Sequence, residues 1–253
     1  MLILAVETST PQSSVCLATE QGVVASATLG RGRAHAEFVA PALQFCLRHA
    51  RVDIAAVSGV AVSLGPGLFT GMRVGIATAQ ALAHARQLPV VGVSTLDLLA
   101  LRVRHARRLI ASVVDARRGE LFWGFYRAVP GGVQRTGDVR VGRAATLAAE
   151  VEALRTEVLA VGDGALVARA ELESVGVEVG SPSLAHPSAE ALAELALPRF
   201  LREETQRAED LRPVYVRRPD ARIGWRNRGA LVGGTIPVGA ADSGPSAAEG
   251  GSG

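Results

Sequence analysis

An α/β fold built from two similar halves is predicted by three observations. Short β-branched runs alternate along the chain with longer stretches whose apolar residues recur at three and four. Each half opens with strand-like runs and closes with helical ones, as a duplicated β-meander-plus-helices unit would. The apolar run Gly59–Leu64 leads through a glycine-rich turn into a helix, the strand–turn–helix unit of α/β proteins.

The elements follow in order. Leu2–Val6, Ser14–Ala18 and Val23–Ala27 read as a three-strand meander, with the polar Glu7-Thr-Ser-Thr10 turn after its first strand. Residues 35–50 are helical in period, and Pro41 sits early enough for its kink to be tolerated. After the strand Gly59–Leu64, Gly65, Gly67 and Gly71 are free to take positive φ, with Pro66 stiffening the turn. Thr70 is placed as the N-cap of a helix ending near Ala85, before Pro89. Val90–Val93 is a strand, and Ser94 caps a helix to Leu101.

Arg102–Arg108 is a basic connection and the expected boundary between a first lobe, 1–103, and a second, 104–217. Strands Leu109–Val114 and Leu121–Tyr126 follow, joined by Asp115–Glu120; then come Val133–Val141, a helix near 146–154, the strand Val158–Val161 and the loop Gly162-Asp-Gly164. A helix over about 188–202 closes the order and is free to pack back on the first lobe. From residue 218 to 253, Gly, Ala, Ser and Pro dominate, which predicts a disordered tail.

Composition narrows the function. Of 253 residues, 48% are hydrophobic but only 4% aromatic, so Val, Leu, Ile and Ala must fill the core. No apolar run reaches the length of a membrane span and the start lacks a signal peptide's charged region, so a cytoplasmic protein without membrane contact is expected. Cys16 and Cys46 fall in a strand and a helix and are expected as buried free thiols. All 27 basic residues are arginine, and the net charge of +3 comes largely from residues 217–253, so nucleic-acid binding by the chain alone is weakly supported.

The chemistry-bearing motifs are sparse. A P-loop needs Lys after its last Gly, and Met72 stands there; Thr70 occupies the third glycine position of a dinucleotide fingerprint. The five histidines are scattered, so no metal site is expected. Ser94 lacks the second glycine of a nucleophile elbow. Asp115 and Asp163 could be carboxylates facing a cleft, though turn residues have the same pattern; Arg117 and Arg118 could meet a phosphate or form a solvated hairpin face.

Taken together, Leu2–Thr10, Gly65–Gly75, Gly92–Leu96, Asp115–Glu120 and Pro213–Arg217 resemble the bacterial TsaB (YeaZ) family in order and spacing, over residues 1–217. The resemblance implies a two-lobed fold of the actin, Hsp70 and sugar-kinase kind. It implies a non-catalytic accessory subunit in making threonylcarbamoyladenosine beside the tRNA anticodon. Its partners would be a TsaD-like catalytic subunit and a TsaE-like ATPase, with homodimers allowed and tRNA met only through the complex. It implies a vestigial nucleotide cleft at Glu7, Thr8, Ser9, Gly65, Pro66, Gly67, Thr70, Gly71 and Asp115, with no tightly bound cofactor and at most weak ATP or ADP. The catalytic relatives carry a histidine pair where Thr95 and Leu99 stand, and neither residue can replace an imidazole at a metal. Glu7 stands where Asp is common in this fold, and Leu68 where a small or polar residue is expected. An active ATPase or kinase of this fold, or a threonylcarbamoyl transferase in its own right, is the alternative.

The partner surface is expected on the first two helices. His35, Phe38, Val39, Ala42 and Cys46, with Leu43, Phe45 and Leu47, cover too much of helix one for a single buried stripe. Gly71, Gly75, Ala79 and Ala83 form a small-residue face on helix two, where Ala79→Glu would disrupt a contact. The competing reading is that the two helices pack on each other. The resemblance favours the partner, with Arg33 and His35 near the rim.

Overall fold

The computed structural model describes residues 1–30 and 34–216; the expected tail over 218–253 and the placement of Arg33 lie outside the described residues.

The first sheet begins with the meander β1 (Ile3–Glu7), β2 (Ser13–Thr19) and β3 (Gly22–Leu29), all antiparallel. Helix α1 (His35–Ala50) leads to β4 (Gly59–Ser63), which lies parallel to β1 on its other side. Helix α2 (Phe69–Arg86) then leads to β5 (Val90–Val93), parallel to β4. The order is β3-β2-β1-β4-β5. Strands β1, β4 and β5 are covered on both faces, which is why they read as unbroken apolar runs.

Helix α3 (Thr95–Leu101) carries the chain to a second sheet. Its meander is β6 (Leu109–Arg117), β7 (Glu120–Val129) and β8 (Gly132–Arg135), with β9 (Arg140–Gly142) also pairing β7. Then come α4 (Ala144–Leu154), β10 (Val158–Val161), α5 (Asp163–Val167), α6 (Arg169–Ser174), β11 (Glu178–Val179) and α7 (Ala189–Leu201). The order β11-β10-β6-β7-β8 repeats that of the first sheet, with β10 parallel to β6 as β4 is to β1. The fold is therefore the duplicated α/β arrangement expected from sequence.

Two readings are corrected. Residues 133–141 are not one strand: β8 ends at Arg135, and the chain returns to the same neighbour as β9, beside Trp123. The loop at Gly162–Gly164 starts a helix at Asp163, and α5, α6 and β11 are too short to impose a period on the sequence.

The two sheets exchange their last helices. Leu96, Leu99 and Ala100 of α3 pack with Ile110, Val114 and Tyr126 of the second sheet. Ala189, Leu192, Ala193, Ala196 and Phe200 of α7 pack with Ile3, Ala5, Cys16 and Val91 of the first. Ser14 Oγ accepts the Ala189 N–H at 2.9 Å, and Arg199 donates to the Gly92 carbonyl at 2.9 Å. The change of sheet near residue 103 is thus no break in packing, and residues 1–217 form one compact unit. Cys16 and Cys46 are free and buried, as expected; burial pushes the Cys16 thiol up to about 12, so it stays protonated.

Candidate functional site

The carboxyl end of β1 and the glycine turn after β4 form one corner. Thr8 Oγ1 donates to the Gly71 carbonyl at 2.7 Å, and the Leu68 N–H donates to the Ser9 carbonyl at 2.7 Å. Glu7 Oε1 accepts from the Ser9 N–H at 2.6 Å and from Ser9 Oγ at 2.5 Å. Thr95 Oγ1 donates to Ser9 Oγ at 2.8 Å, and the Thr95 N–H donates to the Gly65 carbonyl at 2.9 Å. Each neutral bond contributes about 1 kcal/mol net, and together they fasten turn to turn.

The glycines are required here for closeness. Gly65 has φ of +98°, the left-handed value expected, but Gly67 and Gly71 do not take positive φ. A Cβ on Gly67 would stand 2.1 Å from the Ser9 carbonyl oxygen, and one on Gly71 2.1 Å from that of Thr8. Gly75 meets Thr8 Oγ1 in the same way. Thr70 is not the N-cap: α2 begins at Phe69, Leu68 caps it without a side-chain bond, and Thr70 is exposed in its first turn.

The expected cleft residues therefore come together as a packed floor. Glu7, Thr8, Ser9, Gly65, Pro66 and Gly71 are buried, while Gly67 and Asp115 are half-buried. Burial pushes the Glu7 carboxyl above its ordinary value, with Ser63 and Ser9 pulling the other way. Thr8 Oγ1 and Glu7 Oε1 are taken up by bonds within the corner, while Glu7 Oε2 is buried without a hydrogen-bond partner among the described residues.

Asp115 lies near the end of β6 in the second sheet. Its Oδ1 accepts the Arg117 N–H at 2.7 Å, and Oδ2 pairs with the Arg117 guanidinium at 2.8 Å. Its own N–H donates to Asp163 Oδ1 at 3.0 Å. Burial pushes the Asp163 carboxyl up to about 6, and the nearby Asp115 charge adds to this. Beyond the floor lies a hollow of about 670 Å³ bounded by Pro11, His35, Phe69, Thr70, Val74 and Arg117. Arg117 thus lines one hollow with residues of the first two helices, which no motif signalled; its φ of +63° is left-handed.

The partner-binding residues need the larger correction. Gly71, Gly75, Ala79 and Ala83 are buried, and Ala79 and Ala83 pack with Val60, Val62 and Val90 of the same sheet. His35, Val39, Ala42 and Cys46 are buried too, and Phe38 is half-buried, packed with Leu4, Val6, Val15 and Leu17. His35 Nδ1 lies 2.6 Å from Ser13 Oγ, and burial lowers its pKa. The small-residue face is therefore the inner one, and the wide apolar arc of α1 is used by sheet and neighbouring helix. What α1 and α2 turn outward includes Ala36, Ala40, Gln44 and Phe45 beside the polar Glu37, Arg48 and His49 on one, and Phe69, Arg73, Ala77 and Ala81 beside Thr70 and His84 on the other. Phe45 is 45% exposed and Phe69 52%. Arg73 lies over the Phe69 ring, 3.7 Å from its centroid, and Tyr215 stands beside both.

Thr95 and Leu99 are both buried. Among the described residues, no group of three or more His, Cys, Asp or Glu could hold a metal ion. These positions do not fit a histidine-bound metal.

The profile of the family described as tRNA N6-adenosine threonylcarbamoyltransferase, TsaD, matches residues 12–225. The tRNA threonylcarbamoyladenosine biosynthesis protein TsaB of Escherichia coli is 30% identical over 230 residues, 89% of this chain and 97% of the relative. That of Bacillus subtilis is 30% identical over 233 residues, covering 89% and 98%. Among solved structures, YeaZ from Pseudomonas aeruginosa matches at 33% identity and a TM-score of 0.75, over 85% of this chain and 99% of that one.

Proposed function

This chain belongs to the TsaB (YeaZ) family of tRNA threonylcarbamoyladenosine biosynthesis proteins, and on that premise we propose that it is a non-catalytic subunit of the modification assembly. It pairs with a TsaD-type catalytic subunit and helps to recruit a TsaE-type ATPase. tRNA is engaged within that assembly, and the cleft takes ATP or ADP weakly at most.

The observation that carries this reading is the outer face of α1 and α2. The two helices lie side by side on one face of the first sheet. Their outward residues include two exposed phenylalanines among alanines, with Arg73 at the edge. Aromatic and arginine anchors surrounded by small side chains suit a helix-on-helix contact. The sealed floor and the residues at positions 95 and 99 support the non-catalytic role.

Ala79→Glu is the wrong probe, because Ala79 is fully buried in the chain's own core. Ala77 is exposed on the outer face, so Ala77→Glu should leave circular dichroism unchanged. It should place an unpaired carboxylate in the contact and weaken co-elution with the TsaD-type subunit by several kcal/mol, of order 3. A folded Ala77→Glu chain that pairs with normal affinity sinks the interface. ATP turnover by the chain alone that disappears in Asp115→Ala sinks the non-catalytic role.

A further inference from the structure

The segment between α3 and β6, Arg102-Val-Arg-His-Ala-Arg-Arg108, holds five basic residues, and no acidic residue lies between Asp97 and Asp115. The fold gathers four of them, without Arg102, around one hollow of about 500 Å³, lined by Arg104, His105, Arg107, Arg108, Arg127 and Thr156. It opens where β6 and β10 begin and β7 ends, at the opposite end of the second sheet from Asp115.

Two of the arginines are tied. Arg104 pairs with Glu194, and Arg108 pairs with Glu157 and Glu178. His105, Arg107 and Arg127 are exposed, and their side chains make no hydrogen bond or ion pair with the described residues. Glu157, Glu178 and Glu194 are held by Arg104 and Arg108, which leaves Arg107 and Arg127 as like charges turned outward around one hollow. Arginine itself is no signal in a chain without lysine; the gathering is.

We propose that this hollow binds the phosphate backbone of an RNA, in keeping with the role in tRNA modification on which the proposal rests. Several cations around a polar concavity suit consecutive phosphates. The lining has no Phe, Tyr or Trp, and His105 is its one ring, so contact with the backbone dominates over reading of sequence. A protein partner is the competing occupant, because arginine is also an interface anchor, and the test below separates the two. The hollow belongs to other elements than α1 and α2, so RNA and a protein partner can be held together.

The test is the salt dependence of binding of an unmodified tRNA transcript, by fluorescence anisotropy between about 50 and 200 mM salt. It is run on the full chain and on its assembly with the TsaD-type subunit. Arg107→Ala with Arg127→Ala should flatten the slope of log K against log salt by about 1.5 to 2 and weaken low-salt binding by about tenfold, equally for a mixed-sequence single strand. Arg51→Ala with Arg143→Ala, the same charge removed elsewhere on the surface, should change neither. An unchanged slope in the first variant, equal losses in both, or no RNA binding attributable to the chain in either setting overturns the proposal. If the first variant loses the TsaD-type subunit but keeps RNA, the patch is a protein contact and the proposal fails. Normal pairing with lost RNA binding supports it and leaves the interface reading untouched.

Discussion

The molecule builds the same corner twice. In the first sheet, the turn after β4 presses its glycines against the backbone at the end of β1. In the second, the turn after β10 does the same to β6: a Cβ on Gly162 would stand 2.0 Å from the Val113 carbonyl oxygen, and one on Gly164 2.7 Å from the Val114 carbonyl carbon. The corners differ in what they do with the carboxylate. Glu7 is buried and bonded within its own turn, whereas Asp115 is half-buried, faces Asp163 and pairs with an exposed arginine. The second corner has no phosphate fingerprint at all, yet repeats the close approach. The glycines after β4 are therefore explained by packing, and any chemistry must be sought outside them.

The strongest way to break this equivalence is to add a methyl group at both corners. Gly71→Ala and Gly164→Ala should each cost about 3 kcal/mol, because the neighbour that must yield is backbone, just past the end of β1 for Gly71 and within β6 for Gly164. Urea unfolding of both variants measures this, with the melting point falling by about 6–12 °C. A large loss at one corner and none at the other would separate the two.

A smaller effect sharpens the electrostatic difference. Asp163 has its pKa raised in the folded chain to about 6, so between about pH 4 and 6 the folded state keeps a proton that the unfolded state has lost. Stability should then fall as pH rises through that window and stay lower above it. Asp163→Asn removes the charge but keeps an oxygen to accept the Asp115 N–H. It should gain ~2 kcal/mol at pH 8 and little at pH 4. Equal changes at both pH values would show that the acidic pair is not what distinguishes the second corner.

The smallest effect tests how open that corner is. Gly119 has φ of +75° and nothing within 4 Å of where a Cβ would stand. Gly119→Ala should cost only about 1 kcal/mol, from backbone conformation alone. A loss as large as that of Gly71→Ala would mean that the hairpin is packed after all.

Much of this was legible beforehand. The meander, the order of β4, α2 and β5, the bounds of α1 and the buried thiols follow from apolar period and from Gly and Pro positions. The Glu7 turn and the glycine loop were rightly expected to meet, because both end neighbouring strands of one sheet. Asp163 was missed as a helix start because five residues carry no period.

The sequence by itself determined which residues share a strand or a helix face, since that depends only on local period. Which way a face turns was left to the tertiary structure. Helix α2 shows the reason: Gly71, Gly75, Ala79 and Ala83 line one side, while Ala77, Ala81 and Ala85 line another. With small residues on both, burial has little hydrophobic contrast by which to choose. The choice fell to backbone clearance over Thr8 and Ser9, which only Gly71 and its neighbours allow. The exchange of α3 and α7 between sheets, and the gathering of Arg127 with Arg104–Arg108, were likewise decided by contacts between residues far apart in sequence.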